Sequence, residues 1–504
     1  MEEMYKKVKE HLKEGDVTVK VFNVDKRVNS TMFKHEIWKE IAPKDCTLAY
    51  NVVWTQIHSC LKGSIEVVVK KEEDANGNVD YVPKFKHLTL DEYMDEDVFP
   101  YQRTKVTPPQ RAEAYKIFEN YQLYLHDKGL WDDSDKALYI LKNSFLQQVI
   151  RREHVIKFNF SPESEGAFYY DRVYIDEVQD FTQAEILLFF LSAGMYSTLF
   201  MVGDTAQAVE EAVSFRFEEI RGLVYKVCND DIPKPTKLHV NFRSHKGILN
   251  LAANVIERMK QAFGQSSELL SVDSGLLLGP KAAVFPYFKS LTNAHKNNHK
   301  SSQLFHDSKE MIKNLMEYKP NAFFLTPESN VEHLKEMTDN AGQVLSIVDS
   351  KGLEFMEVVI VDFFSSVPVS DREHWKRLFT LKPDEPLGDF PHPQIESQLK
   401  KLYVAITRAR NRLVFIETGL FDVNGNGRAF DLVQAVWKSW SGIGTKDTPA
   451  DSLPNFIENF APDFSNAVIQ QSDYELFASA LNFIQRVLKI ITNTLIITML
   501  LIYY

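Results

Sequence analysis

Cysteine is scarce. Only Cys46, Cys60 and Cys228 occur in 504 residues, far apart and without a metal-ligand spacing. A disulfide framework is not expected, and a reducing compartment, cytoplasm or nucleus, is the simplest reading. Positive charge is also short, with 58 Lys and Arg against 69 Asp and Glu and a net charge of −11. Dedicated nucleic-acid binders carry a basic balance, so that class loses support. A motor can still confine its basic residues to one groove. Long apolar runs are missing before the C-terminus, and the opening MEEMYKKVKE has no apolar core of a secretory signal. Residues 490–504, IITNTLIITMLLIYY, fall short of the ~20 that span a bilayer. Starting at Leu481 takes in Asn482, Gln485, Arg486 and Lys489, so a buried tail is expected rather than membrane association.

The dipeptide Gly-Lys never occurs. A loop of the form G-x-x-x-x-G-K-[ST], whose amides and lysine cradle phosphates, therefore has no place in this sequence. The glycines before residue 176 are Gly15, Gly63, Gly77, Gly129 and Gly166, and they do not cluster.

The composition, 44% hydrophobic and 25% charged, is that of a globular chain with material for two or three cores. Residues 1–155 are mostly helical in pattern. Ala114, Ile117, Phe118, Tyr121 and Leu125 recur at helical spacing, and Gly129 stops that helix. The polar stretch 70–84, with Asn76-Gly77, reads as a surface turn or loop. From about 167 the texture changes. A strand ends at Asp176, a helix covers FTQAEILLFFL, and a second strand ends at Gly203-Asp204. Strand, helix, strand with polar residues at the strand ends describes a parallel α/β sheet with its site along that edge. GQVLSIV, MEVVIVDFF, the helix ESQLKKLYVAITRAR and RLVFIE repeat the pattern, with a boundary near 240. Residues 365–398 read as an irregular insertion, and 295–314 as a loop or surface helix.

Five short motifs carry candidate chemistry. Asp176-Glu177 puts two carboxylates at a strand end, where phosphoryl transfer would place a Mg²⁺ ligand and a group that orients water. Gly203-Asp204-Thr205-Ala206-Gln207 offers a tight turn and an amide able to touch phosphate and water. Asn241-Phe242-Arg243-Ser244 sets an aromatic beside a guanidinium. Ser350-Lys351-Gly352-Leu353-Glu354-Phe355 offers Glu354 as an acceptor for a ribose hydroxyl. Tyr403 to Arg410 is a helix ending in Arg408, as an arginine finger would. Each taken singly also reads as an ordinary turn, core aromatic or basic helix end.

In this order, YIDEVQD, FMVGDTAQ, VNFRS, SKGLEF and YVAITRAR resemble motifs II to VI of the UvrD/Rep-type superfamily 1 helicases. EIWKEI, WDDSDKALYIL and DSGLLLGPK extend the likeness towards the helicase-like region of TPR and ankyrin repeat-containing proteins. The resemblance implies two RecA-like P-loop NTPase cores with parallel sheets, preceded by a mostly helical insertion. It divides the chain into 1–155 (insertion and remnant of core 1), 156–240 (core 1), 241–420 (core 2), a C-terminal extension at 421–480 and the apolar tail at 481–504. It implies ATP and Mg²⁺ as cofactors and single-stranded DNA or RNA as a partner. Asp176 would hold Mg²⁺, Glu177 would activate water, and Gln207, with Asp204 beside it, would sense the γ-phosphate. Phe242 stands where the family has Tyr and would stack on adenine, Arg243 and Arg408 would clamp the γ-phosphate, and Glu354 would contact the ribose. ATP would lie between the two cores.

Three departures qualify this. The phosphate loop is missing, which points to a chain that begins inside the motor and needs an upstream segment, and to an isolated chain without turnover. The aromatics that grip single-stranded DNA are replaced by Glu210, Ala212 and Val213, with Phe215 and Phe217 nearby in another register. Motif V opens with Ser346-Ile347-Val348 in place of Thr-x-His, and the spacing from Ser244 to Ser346 is short for the family. The alternative expectation is a helicase-derived interaction or regulatory module without catalysis.

Overall fold

The protein is described by a computed structural model. It describes residues 22–73, 76–77, 79–143, 150–152, 155–157, 170–193, 196–209, 213, 216–228, 234–238, 240–263, 273–279, 282–285, 312, 321–338, 343–380, 393–418, 429–442 and 455–456. The chain divides into two compact units, Met1–Thr236 and Lys237–Tyr504.

Unit 1 begins with short helical turns and then a hairpin of strands β1 (Val69–Glu73) and β2 (Val79–Pro83), which pair antiparallel. The turn expected within 70–84 is present, but its flanks are strands rather than loop. Asn76-Gly77 is the turn, with Gly77 at φ +81, and such a turn feeds a hairpin directly. The long helix α1 (Pro108–Lys128) starts where Pro lies in the first turn and ends at Gly129, whose φ of +62 places it in the left-handed cap. Ala114, Ile117, Phe118, Tyr121 and Leu125 are all buried, as the spacing predicts. Helix α2 (Asp133–Asn143) follows, then the short antiparallel pair β3 (Ile150–Arg152) and β4 (Val155–Lys157). Strand β5 (Val173–Ile175), helix α3 (Gln183–Ser192) and strand β6 (Leu199–Met201) form a strand-helix-strand unit, with β5 and β6 parallel. Helix α4 (Phe217–Cys228) closes the unit.

A charged network lies inside unit 1. Lys62, fully buried, meets Asp132 at 2.5 Å and Asp135 at 2.8 Å. Tyr121 donates its hydroxyl to the same Asp132 oxygen at 2.9 Å, and the other oxygen accepts from the Asp135 N–H at 3.0 Å, so Asp132 also caps α2. Burial works against both charges. The two carboxylates nevertheless hold Lys62 above its ordinary pKa, and Lys62 holds Asp132 well below its own.

Unit 2 is built on one parallel sheet. Its strands are β9 (Ala283–Phe285), β10 (Ala322–Thr326), β11 (Val344–Ser346), β12 (Phe355–Val361), β13 (Ala409–Ile416) and β14 (Asn455–Phe456), in the order β11-β10-β12-β13-β9-β14. The pairings in this sheet are all parallel. Runs such as Val358–Val361 are buried throughout, as a sheet covered on both faces requires. A separate parallel pair, β7 (Val240–Asn241) and β8 (Ser274–Gly275), carries the entrance to helix α5 (Lys246–Phe263). The remaining helices are α6 (Val331–Met337), α7 (Val369–Thr380), α8 (Pro393–Thr407) and α9 (Phe430–Gly442).

Helix α7 corrects the reading of 365–398 as irregular. Its buried positions are Asp371, Trp375, Leu378 and Phe379, one face of a helix. Trp437 and Trp440 of α9 pack against Phe364 and Phe415, and β14 extends the sheet beyond β9. Part of the stretch read as an extension thus belongs to this core. Residues 295–311 and the apolar tail 481–504 lie outside the described residues. Among the described residues no helix is long and apolar enough to cross a membrane.

Beyond β12 and β13, Asp362 and Glu417 are buried together. Glu417 accepts from the backbone N–H groups of Phe364 at 3.0 Å and Ser365 at 2.9 Å, and Asp362 accepts from the Thr418 hydroxyl at 2.6 Å. Burial first, then the Asp362 charge, pushes Glu417 up to about 8, against these donors. Glu417 therefore holds a proton in the folded state at pH values where the unfolded chain, at an ordinary 4.5, has lost it. This contribution to stability is complete below the unfolded value and is lost as pH rises through about 8. Denaturant midpoints of unit 2 are expected to fall between about pH 5 and 8, and Glu417→Gln to flatten that slope. An unchanged slope would remove Glu417 as its source.

Candidate functional site

In unit 1 the candidate residues gather where β5 and β6 end. Asp176 is exposed at the end of β5, and one of its oxygens accepts the Glu177 N–H at 2.9 Å. Glu177 itself turns the chain in a left-handed conformation, φ +53. That conformation costs a non-glycine residue about 1–2 kcal/mol and is held only by surrounding contacts.

Gln179 supplies them. Its side chain is fully buried. Its amide N–H donates to the Glu177 carboxylate, and its amide oxygen accepts the Asp204 N–H at 3.0 Å. Asp204 in turn accepts from the Ala206 N–H and from the Gln207 side-chain amide, both at 2.9 Å. Glu177, Gln179, Asp204 and Gln207 thus form one hydrogen-bonded chain across the two strand ends. Sequence reasoning passed over Gln179. The available signal was its polar side chain next to buried Val178, directly after a strand.

Gly203 is required by close approach. A Cβ there would lie 2.4 Å from the Gln179 amide oxygen and 2.9 Å from a Val178 methyl. Gly203→Ala is expected to break the bridge and lower unit 1 stability by about 1–3 kcal/mol, the range for overpacking. Equilibrium denaturation checks this, and a change within error would show that Gln179 can move aside freely.

In unit 2 three segments converge. The Asn241 side-chain oxygen accepts the N–H groups of Arg243 at 2.8 Å and Ser244 at 2.9 Å, a turn that leaves Phe242 77% exposed. Ser244 donates its hydroxyl to the Ala409 carbonyl at 2.7 Å, and a ring nitrogen of His245 lies 2.8 Å from the Asn411 carbonyl. The turn is therefore docked on the start of β13. Arg243 Nε meets one oxygen of Glu354 at 2.6 Å, and Arg410 Nη1 meets the other at 3.0 Å. Arg408 is buried, and its guanidinium donates to the carbonyls of Val404 at 3.1 Å and Leu353 at 2.9 Å. The Ser346 hydroxyl is taken up by Asp349 at 2.6 Å.

The expected residues therefore fall into two groups, Asp176, Glu177, Asp204 and Gln207 in unit 1 and Phe242, Arg243, Glu354 and Arg408 in unit 2. Arg410 was not singled out by the sequence. Glu210, Ala212 and Phe215 lie outside the described residues, while Phe217 is half-buried against the unit 1 core rather than presented for stacking.

The carboxylate oxygens of unit 1 would suit a hard cation. Among the described residues no group of three or more His, Cys, Asp or Glu could hold a metal alone. Mg²⁺ does not need one, since it binds through one or two carboxylates and completes its shell with water and phosphate oxygens.

Residues 3–221 match the UvrD/REP helicase N-terminal domain. The chain is 30% identical over 457 residues to human TPR and ankyrin repeat-containing protein 1, covering 82% of this chain and 14% of that protein. It is 24% identical over 381 residues to a probable DNA helicase of Mycoplasma pneumoniae, covering 72% of this chain and 62% of the relative. A probable DNA helicase II homolog of Rickettsia conorii is 27% identical over 194 residues, 37% of this chain and 26% of that protein. The chain spans less than two-thirds of each of these relatives. The family match over 3–221 and these relatives agree with the motif order, and the chain is similar to the UvrD/Rep-type helicases.

Proposed function

We propose that this chain is a UvrD-like ATPase module with two RecA-like cores, and that its described residues serve the metal and γ-phosphate end of ATP. The observation that carries this reading is the hydrogen-bonded chain from Glu177 through Gln179 and Asp204 to Gln207. It ties a carboxylate suited to orienting water to an amide suited to sensing a phosphate. Asp176, with an oxygen left for a cation, would hold Mg²⁺. Bound Mg²⁺ supplies charge neutralisation of the phosphates. Phe242 would stack on the base, Arg243 would meet the γ-phosphate and Glu354 would meet the ribose. Hydrolysis would drive translocation on single-stranded DNA or RNA, the track that the helicase relatives suggest.

No G-x-x-x-x-G-K-[ST] occurs in the 504 residues, so these residues by themselves would hold ATP weakly and turn it over no faster than background. The second reading, a helicase-derived interaction module without catalysis, is favoured by one observation. The guanidinium of Arg408 is buried and engaged by backbone carbonyls.

Steady-state ATP hydrolysis, with and without single-stranded DNA or RNA, separates the two readings when a G-x-x-x-x-G-K-[ST] segment is joined to the chain. The motor reading expects nucleic-acid-stimulated turnover. Absence of turnover there supports the interaction module.

A further inference from the structure

Arg408 and Arg410 leave the same segment in opposite circumstances. Arg408 is buried and hydrogen-bonded to the carbonyls of Val404 and Leu353. Arg410 is nearly half exposed and reaches Glu354 at 3.0 Å. Arg243, from the turn before α5, reaches the other oxygen of the same carboxylate at 2.6 Å. Two guanidiniums from segments far apart in sequence therefore converge on one half-exposed anion, with the exposed ring of Phe242 in the residue next to Arg243.

We infer that Arg410, together with Arg243, forms a twin-guanidinium seat for the polyphosphate of a nucleotide, and that Glu354 occupies it as the chain's own anion until the ligand displaces it. This deepens the nucleotide reading of unit 2 and rests on it. It assigns to Arg410 the presented cation that the motif order would give to Arg408. Guanidinium forks suit clustered phosphate oxygens, which replace a carboxylate with more charge and more acceptors. The exposed aromatic favours a nucleotide over a bare anion, because a base can cover its face. Glu354 is then a competitor. Exposed ion pairs are individually weak, so a polyphosphate can break both.

Calorimetry of the full chain with sodium tripolyphosphate, without Mg²⁺, tests this. Glu354→Gln is expected to tighten binding by roughly tenfold, the upper end for releasing two exposed ion pairs. Adding Arg410→Ala to Glu354→Gln is expected to remove that gain. Glu332→Gln, an exposed change of the same charge on α6, is expected to stay within about twofold of the parent chain. The substituted side chains are all solvent-accessible, and thermal melting of each variant checks that the fold is retained. A gain that survives Arg410→Ala, or an equal gain in Glu332→Gln, would overturn the seat. So would a gain for an oligothymidylate as large as that for tripolyphosphate, since the ligand would then be a nucleic-acid backbone. Tripolyphosphate without Mg²⁺ does not engage Asp176, so this test can fail while the Mg²⁺ reading of unit 1 stands, and the reverse.

Discussion

Replacing Lys62 with methionine is expected to lower the stability of unit 1 by about 3–5 kcal/mol, the cost of leaving a buried charge without its partner. The side chains of Lys62 and Asp132 are both fully buried, and Tyr121 donates to the same carboxylate. Methionine matches the lysine stem in volume, so the loss reads the stranded Asp132 charge rather than a cavity. The exposed pair Arg27–Asp133 uses the residue next to Asp132, with side chains 51% and 32% exposed. Arg27→Ala should therefore cost no more than about 1 kcal/mol. The pH dependence follows from the two shifts. Asp132, held below its ordinary value, contributes stability that is lost as pH falls through its depressed folded value. Lys62, held above its ordinary value, contributes stability that is lost only as pH rises through its raised folded value. Denaturation of Lys62→Met across pH checks both. A loss below about 1 kcal/mol would show that water or a relaxed backbone satisfies Asp132.

Glu177→Gln is expected to lower ATP turnover by about 10²–10⁴-fold, the usual worth of a general base, wherever a phosphate-cradling loop completes the site. Nucleotide affinity should change little, because the residue keeps its size and Gln179 stays buried beside it. Single-turnover hydrolysis and equilibrium nucleotide binding, measured together, separate these effects. Unchanged turnover would show that another group orients the water.

The elements that frame the unit 1 site were legible because their residues are apolar in runs. Val173–Ile175, the helix Gln183–Ser192 and Leu199–Met201 have the lengths and flanks of a strand-helix-strand unit. The hairpin β1–β2 was not legible, because Lys70 to Glu73 are exposed and show no alternation of apolar and polar residues. Helix α7 was masked in the same way. Its polar residues include Asp371, which is buried and accepts from the Gln398 amide at 2.8 Å, a partner 27 residues ahead in sequence. Lys62 reads as a surface lysine before a glycine until Asp132 and Asp135 are brought to it. Candidate site residues can be picked out by type and order, but their hydrogen-bond partners cannot. Gln179, Arg410 and the engagement of Arg408 depend on chain segments that meet only in the fold.

Asp176 and its neighbours are expected to bind a divalent cation together with ATP. Electron paramagnetic resonance of Mn²⁺ in place of Mg²⁺ tests this on the chain joined to a G-x-x-x-x-G-K-[ST] segment, at millimolar nucleotide. The expected result is an immobilised Mn²⁺ fraction that requires ATP, disappears in Asp176→Asn and persists in Asp127→Asn, an exposed change on α1. No ATP-dependent fraction in the parent chain, or an undiminished one in Asp176→Asn, would contradict it.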